Sequence, residues 1–279
     1  MQEAAQFFND NGYYIARSVF SQEEVSELRS HYMKLWAEKS PTNDPTVSAA
    51  LKDDRPDPLQ NYTRLLQMHR WDQVSLNFLI DPRLRDLLTT ILSAEPYAVQ
   101  TMMYYKPSGA RGQALHQDQF YLRVQPGTCC AAWLALDDSD EENGCMQVVG
   151  GSHRWDILCT IPADTRLSFT DVTVPLPAGV SATPCIMKAG DVLFFHGSTV
   201  HGSLPNSSKD RFRRSLIGHY AVGAAEKIGE FYHPVLRMDG AVADLGFSEG
   251  SNTCGVWVDH DGKPVIETVE KQIAYRKHE

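Results

Sequence analysis

Two hydrophobic periods divide the chain. "SQEEVSELRSHYMKLW", from residue 21, places Val25, Leu28, Tyr32, Leu35 and Trp36 on one helical stripe, and Ser21 and Glu24 stand in capping-box spacing, which predicts a core-facing helix. "DPRLRDLLTTILSAE" predicts a second, with Asp81 as cap, Pro82 at the first helical position, and Leu84, Leu87, Leu88, Ile91 and Leu92 as the apolar face. From residue 97 the pattern shortens to strands separated by Gly, Pro and Asn-rich turns: "YAVQTMMYYK", "LHQDQFYL", "CCAAWLAL", "CMQVV", "PCIMK", "DVLFFH" and "RRSLIGHYA". Such a run without intervening helices predicts a mainly β protein with flanking helices, built on a double-sheet jelly roll. The expected layout is one domain over 1–279, with a helical front end over about 1–96, a β core over about 97–222 and a C-terminal extension over about 223–279.

Two stretches break the pattern. Residues 40–60, with Pro41, Pro45, Pro56 and Pro58, are too long for a simple connection, and residues 155–183 have little periodicity and read as an insertion between core strands. Their Pro, Asp and Ser-rich sequence offers few apolar anchors, so both are expected to act as lids that move on substrate binding. The Asp-Gly pair in "DHDGK" marks a hairpin turn at 259–263.

Composition narrows the classes. At 279 residues, 42% apolar and 22% charged, the chain fits a globular enzyme, and a net charge of −9 argues against nucleic acid or an anionic membrane as a partner. No apolar stretch reaches spanning length and the N-terminus lacks a basic segment followed by an apolar run, which reads as a soluble, cytoplasmic protein. The six cysteines form no C-x-x-C pair and are expected to be reduced and mostly buried. Nothing in the sequence sets an oligomeric state.

The candidate chemistry lies in the strand-rich half. Read as a strand, "LHQDQFYL" puts His116 and Asp118 on one side, about 7 Å apart at the backbone, where an imidazole and a carboxylate can converge on one ion. A third ligand can come from "AGDVLFFHGSTVHGSLPNSSKDRFRRSLIGHYA", where His196 and His201 compete. His201 leads into a strand carrying Arg211, Arg213 and Arg214, and an arginine fork holds a carboxylate through two parallel charge-assisted hydrogen bonds.

Taken together, His116-x-Asp118, Trp133 in "CAAWLAL", "NGCMQVVGGSH" at 143–153, "GDVLFFHGSTVHGS" and the downstream arginine resemble the phytanoyl-CoA dioxygenase family of non-haem iron, 2-oxoglutarate-dependent oxygenases, over about residues 8–222. The resemblance implies Fe(II) on His116, Asp118 and His201, with His196 left out. It also implies a pocket for 2-oxoglutarate that includes Met102, Trp133 and Ser203, with O2 as the second cosubstrate. A polar group that the family often places before this region suggests Gln67, with Lys106 and His69 as weaker alternatives. The family's anchoring arginine commonly lies eleven residues after the distal histidine, where this chain has Phe212. Matching "FRRSLIGHYA" to the family's phenylalanine-arginine strand moves the anchor to Arg213, with the extra residue absorbed in the "NSSKD" turn. On that strand Arg213, Ser215, Ile217 and His219 share a face and Arg214 points the other way.

The resemblance implies oxidation, usually hydroxylation, of a small molecule with release of succinate and carbon dioxide. An iron halogenase on the same fold would carry a small residue in place of Asp118. A jelly-roll metal-binding or ligand-binding protein without turnover is the alternative from another class. The cover of the cavity is expected from 40–60, 155–183 and a C-terminal tail with Phe231, Tyr232 and Trp257. With no Lys/Arg cluster in those loops, a neutral or amphipathic metabolite is favoured over an acyl-CoA.

Overall fold

The computed structural model describes residues 2–38, 58–62 and 64–269. Among the described residues the α-helices are α1 (Gln2–Asn11), α2 (Gln22–Glu38), α3 (Gln73–Leu79), α4 (Pro82–Leu92) and the single-turn α5 (Gln119–Leu122). The first twelve strands are β1 (Tyr13–Ala16), β2 (Leu65–Leu66), β3 (Tyr97–Tyr104), β4 (Gln113–His116), β5 (Cys129–Ala135), β6 (Met146–Val148), β7 (Ile161–Pro162), β8 (Val172–Thr173), β9 (Thr183–Cys185), β10 (Val192–His196), β11 (His201–Ser203) and β12 (Ser215–Ala221). Beyond them lie β13 (Lys227–Ile228), β14 (Val235–Leu236), β15 (Val242–Ala243), β16 (Gly246–Phe247), β17 (Gly255–His260) and β18 (Lys263–Thr268). No helix among the described residues is long and apolar enough to cross a membrane.

An eight-stranded sheet runs β1-β10-β5-β12-β3-β14-β15, with β2 also on β3, and a four-stranded sheet runs β4-β11-β6-β9. Side-chain alternation assigns each inner strand of the large sheet to two cores. Cys130, Ala132 and Leu134 of β5 pack with Val25, Tyr32, Leu84 and Leu88 of the helices, whereas Ala131, Trp133 and Ala135 face Met146 and Val148 of the small sheet. That double burial explains why "CCAAWLA" is apolar at successive positions: every residue of β5 is buried.

The helices sit where their stripes predict. Ser21 N–H donates to Glu24 Oε2 at 2.8 Å and Glu24 N–H to Ser21 Oγ at 3.2 Å, closing the capping box that starts α2. Asp81 caps α4 by accepting from Arg83 N–H, and Leu84, Leu88 and Ile91 are buried. The front end also supplies β1, which pairs with β10 at the edge of the large sheet. A four-residue strand is too short for its period to separate from the preceding helix.

Four expectations are corrected. The strand expected over 115–122 stops at His116: Asp118 has helical dihedrals (φ −64°, ψ −33°) and opens α5. Cys159 and Cys254, 95 residues apart, form a disulfide, leaving Cys129, Cys130, Cys145 and Cys185 free and buried. The 155–183 segment is well anchored. Trp155, Leu158 and Val174 pack with Val149 and Val200, and backbone bonds tie Leu167 and Phe169 to Gly112 and Val174 to Leu115. Trp257 lies on β17 and does not line the central cavity. The expectation of a mobile 40–60 loop falls almost entirely outside the described residues. The hairpin is as expected: β17 and β18 are joined through Asp261 (φ 55°) and Gly262 (φ 79°).

Candidate metal centre

β4 and β11 pair directly, with His201 opposite His116, so two imidazoles meet across the small sheet with ring centroids 4.2 Å apart. Asp118 reaches the same point because the chain bends after His116, not because a strand alternates. One ligand atom from each of His116, Asp118 and His201 lies within 4.8 Å of the others. Among the described residues this is the only such group of three or more His, Cys, Asp or Glu side chains.

The backbone fixes the imidazoles. His116 Nδ1 lies 2.9 Å from Ala114 O and His201 Nδ1 lies 2.8 Å from Thr199 O. A carbonyl only accepts, so each Nδ1 carries the proton and each Nε2 presents a lone pair. Those Nε2 atoms stand 3.5 and 3.6 Å from Asp118 Oδ1. Burial, and then His116, push His201 down to about 4, so it is neutral at physiological pH. Two lone pairs and a carboxylate oxygen converge with no proton to share, an arrangement that a divalent cation satisfies. The residues therefore fit a metal ion of the borderline class that takes imidazole and carboxylate together, Fe(II) included.

His196 is elsewhere. It ends β10, its Nδ1 accepts from Ser198 N–H at 3.0 Å, and its ring faces His153 at 5.6 Å. His153 in turn contacts Asn9 O through Nε2, a structural role for the "GGSH" turn.

A cavity of about 350 Å³ opens from the three candidate ligands. Met102, Trp133, Ser203 and Arg213, all expected in a cosubstrate pocket, line it. Arg213 is buried (2% exposed), lies 5.3 Å from the Trp133 ring, and donates from Nε to Gly144 O and from Nη1 to Ser215 Oγ. Burial pushes its guanidinium down to about 10, so it remains charged, and no carboxylate among the described residues pairs with it. Arg214 instead forms a two-point pair with Asp137, and Arg211 pairs with Asp140 and Glu142.

Gln67 is not brought into the cavity. It is buried with left-handed backbone (φ 57°), and its side-chain amide has no hydrogen-bond partner among the described residues. His69 is held at Thr101 Oγ1, and Lys106 lies behind Ser203. Residues without an assignment from sequence also line the cavity: Gln113, whose Nε2 is 3.2 Å from His116 Nε2, His219, Gln100, Arg64, Tyr121 and Thr170. His219 had a signal, since it shares the Arg213 face of β12, but only the fold shows what that face meets. Phe231 (59% exposed) and Tyr232 bring the C-terminal extension to the cavity mouth.

A family model described as Phytanoyl-CoA dioxygenase (PhyH) matches residues 8–215. Phytanoyl-CoA dioxygenase 1 of Oryza sativa subsp. japonica is 30% identical over 145 residues, covering 50% of each chain, so the match spans about half the length of that relative. Ectoine dioxygenase of Bordetella parapertussis is 28% identical over 225 residues, covering 74% of this chain and 70% of that one. Among solved structures, the non-heme alpha ketoglutarate dependent carbocyclase SnoK from nogalamycin biosynthesis superposes with a TM-score of 0.64 at 22% identity, over 81% of this chain and 85% of that one, and shares the jelly-roll fold. With the family model running from the first helix to the start of β12, across both sheets and every candidate ligand, the chain belongs to the phytanoyl-CoA dioxygenase family of Fe(II)- and 2-oxoglutarate-dependent dioxygenases.

Proposed function

We propose that this protein is an Fe(II)- and 2-oxoglutarate-dependent oxygenase that oxidises a small molecule, with succinate and carbon dioxide as coproducts. One observation carries the reading: a His-Asp-His cluster and a buried, unpaired Arg213 line the same cavity. His116, Asp118 and His201 would hold the iron, and Arg213 with Ser203 would receive the far carboxylate of 2-oxoglutarate. When bound, iron and 2-oxoglutarate supply the oxidising power, activating O2 as the oxo acid loses carbon dioxide.

The protein's own residues orient and shield. Trp133, Met102 and Ile217 form an apolar wall beside Arg213, which strengthens the ion pair an incoming carboxylate would make there. Tyr104, Tyr121, Phe231 and Tyr232 also line the cavity, and their rings, polar-tipped in the tyrosines, beside Gln100, Gln113 and Thr170 suit a neutral or amphipathic metabolite. Because Phe231 and Tyr232 come from the C-terminal extension, front end, core and extension would act as one catalytic domain. Asp118 supplies the carboxylate that a halogenase would lack. The family includes relatives named as dioxygenases of phytanoyl-CoA and of ectoine, and a carbocyclase shares the fold, so hydroxylation is the first reaction to test and ring formation the second.

The test is succinate release by Fe(II)-loaded protein given 2-oxoglutarate and a metabolite panel. Substrate-stimulated succinate, with an oxidised product by mass spectrometry, is expected. Tight iron and 2-oxoglutarate binding with no succinate from any compound would favour the non-catalytic binder.

A further inference from the structure

Behind the cavity lies a second buried cation. Lys106 is 2% exposed, and its Nζ contacts Ser203 Oγ at 2.8 Å, Leu204 O at 2.5 Å and Gly144 O at 3.4 Å. Three oxygens account for the three protons of an ammonium. Gly144 makes room for this: its φ is +82°, and a Cβ there would stand 2.9 Å from Lys106 Cδ and 2.6 Å from Leu204 O. No carboxylate among the described residues pairs with Lys106, and the same Gly144 carbonyl accepts from Arg213 Nε. Two buried cations therefore share one carbonyl.

Ser203 is the connection to the cavity. Its Oγ accepts from Lys106 Nζ and, at 3.2 Å, from the Gln113 N–H. Both lone pairs are then engaged, so the hydroxyl can act only as a donor. Ser203 lines the cavity together with Arg213. We propose that Lys106 is a positioning residue for the cosubstrate, fixing the Ser203 hydroxyl as a donor toward the far carboxylate and adding a positive charge behind Arg213. The inference rests on the proposed cosubstrate site.

Electrostatics point the same way. Burial, and then Arg213, push the Lys106 ammonium well below its usual range, the mark of a charge that an anion nearby would relieve. A ligand carboxylate at Arg213 and Ser203 would supply that anion. A purely structural lysine would make the same carbonyl contacts but would not distinguish ligands by their far end.

The experiment uses Mn(II)-loaded full-length protein, so that no turnover intervenes, titrated calorimetrically with 2-oxoglutarate and with 2-oxopentanoate, which keeps the chelating end and replaces the far carboxylate by methyl. The unaltered protein should prefer 2-oxoglutarate. Lys106→Met should lose about tenfold in 2-oxoglutarate affinity, the effect of releasing the Ser203 hydroxyl from its fixed orientation and removing one nearby positive charge, with 2-oxopentanoate and Mn(II) affinities unchanged. Ser203→Ala should lose a similar factor, and the double variant less than the product of the two. If Lys106→Met does not fold, Lys106→Gln must still narrow the preference. Unchanged 2-oxoglutarate affinity in a folded variant, or an equal loss for both ligands, overturns the role of Lys106. If the unaltered protein itself shows no preference, the cosubstrate reading fails first and takes the inference with it.

Discussion

His219 on β12 holds the far side of Asp118: its Nε2 lies 3.1 Å from Asp118 Oδ2, while Oδ1 faces His116 and His201. The carboxylate thus has one oxygen tied to the large sheet and the other turned to the candidate metal position. A single-point ligand kept in one rotamer is the expected result. His219→Leu should weaken Mn(II) or Fe(II) binding by about 10–100-fold, the usual effect of losing an outer partner of a metal ligand. His219→Gln, which retains a donor, should recover part of that loss. Equal metal affinity in all three proteins, measured by titration, would remove His219 from the site.

Asp118 itself should be indispensable. Asp118→Ala removes the one carboxylate among the clustered ligand atoms, so metal binding should fall further than in any His219 variant and succinate formation should cease. Adding chloride should neither restore turnover nor yield a halogenated product. A chlorinated product from the intact protein would return the halogenase reading.

Much of the site could be read from the sequence, and the reasons differ by residue. Motif order marks His116, Asp118 and His201 in the sequence, whereas strand alternation does not bring the first two together: it ends at His116, and a helical turn carries Asp118 inward. The helices were legible because the stripe and caps are local. The insertion over 155–183 was misread because its anchors are non-local. Leu115 of β4 and Val200 just before β11 join the nearer Val149 in burying its apolar residues, and Gly112 and Leu115 meet its backbone. The disulfide was invisible for the same reason, since Cys159 and Cys254 have no shared spacing motif and meet only when the hairpin folds back.

That anchoring changes the expected dynamics. Hydrogen exchange across 155–183 should show strong protection at Phe169 and Val174 with or without 2-oxoglutarate, because their N–H groups are bonded to Gly112 O and Leu115 O. Large ligand-dependent protection there would restore the lid.

The disulfide should matter for stability and not for metal binding. It closes a long loop between the insertion and the segment before β17, and Cys254→Ser should cost about 2–4 kcal/mol in equilibrium unfolding under non-reducing conditions. Mass analysis after alkylation without reductant should leave two cysteines unlabelled in denatured protein. Six labelled cysteines would show that the pair is not oxidised.

A smaller, pH-dependent term sits at the start of α2. Glu24 accepts from Arg83 and from Ser21 N–H, and these bonds, the Arg83 one first, lower its pKa to about 2. A carboxylate lowered on folding contributes stability that is complete above its unfolded pKa and lost as pH falls toward the folded value. Glu24→Gln should therefore destabilise by roughly 1 kcal/mol at neutral pH, a figure kept small because the pair is solvent-exposed and screened. The difference should shrink between about pH 4.5 and pH 2. A constant difference across that range would assign the effect to packing.

The sharpest separation is among the three arginines. Arg211 and Arg214 already commit their guanidinium groups to Asp140, Glu142 and Asp137, whereas Arg213 is buried in the cavity, with its Nε and Nη1 bonded to Gly144 O and Ser215 Oγ and no carboxylate partner among the described residues. Replacing a desolvated charge-assisted pair costs roughly 2–5 kcal/mol. Arg213→Ala should raise the 2-oxoglutarate concentration needed for half-saturation by on the order of a hundredfold or more, with metal affinity intact. Arg211→Ala breaks an exposed ion pair and should alter stability by about 1 kcal/mol, whereas Arg214→Ala leaves the largely buried Asp137 without its two-point partner and should cost more, about 2–4 kcal/mol; both should leave the cosubstrate requirement near normal. Direct titration of 2-oxoglutarate into the three metal-loaded variants decides the matter. If the large loss appeared in Arg211→Ala or Arg214→Ala and Arg213→Ala bound normally, the far carboxylate would lie outside this cavity, and the placement of the extra residue in the "NSSKD" turn would be wrong.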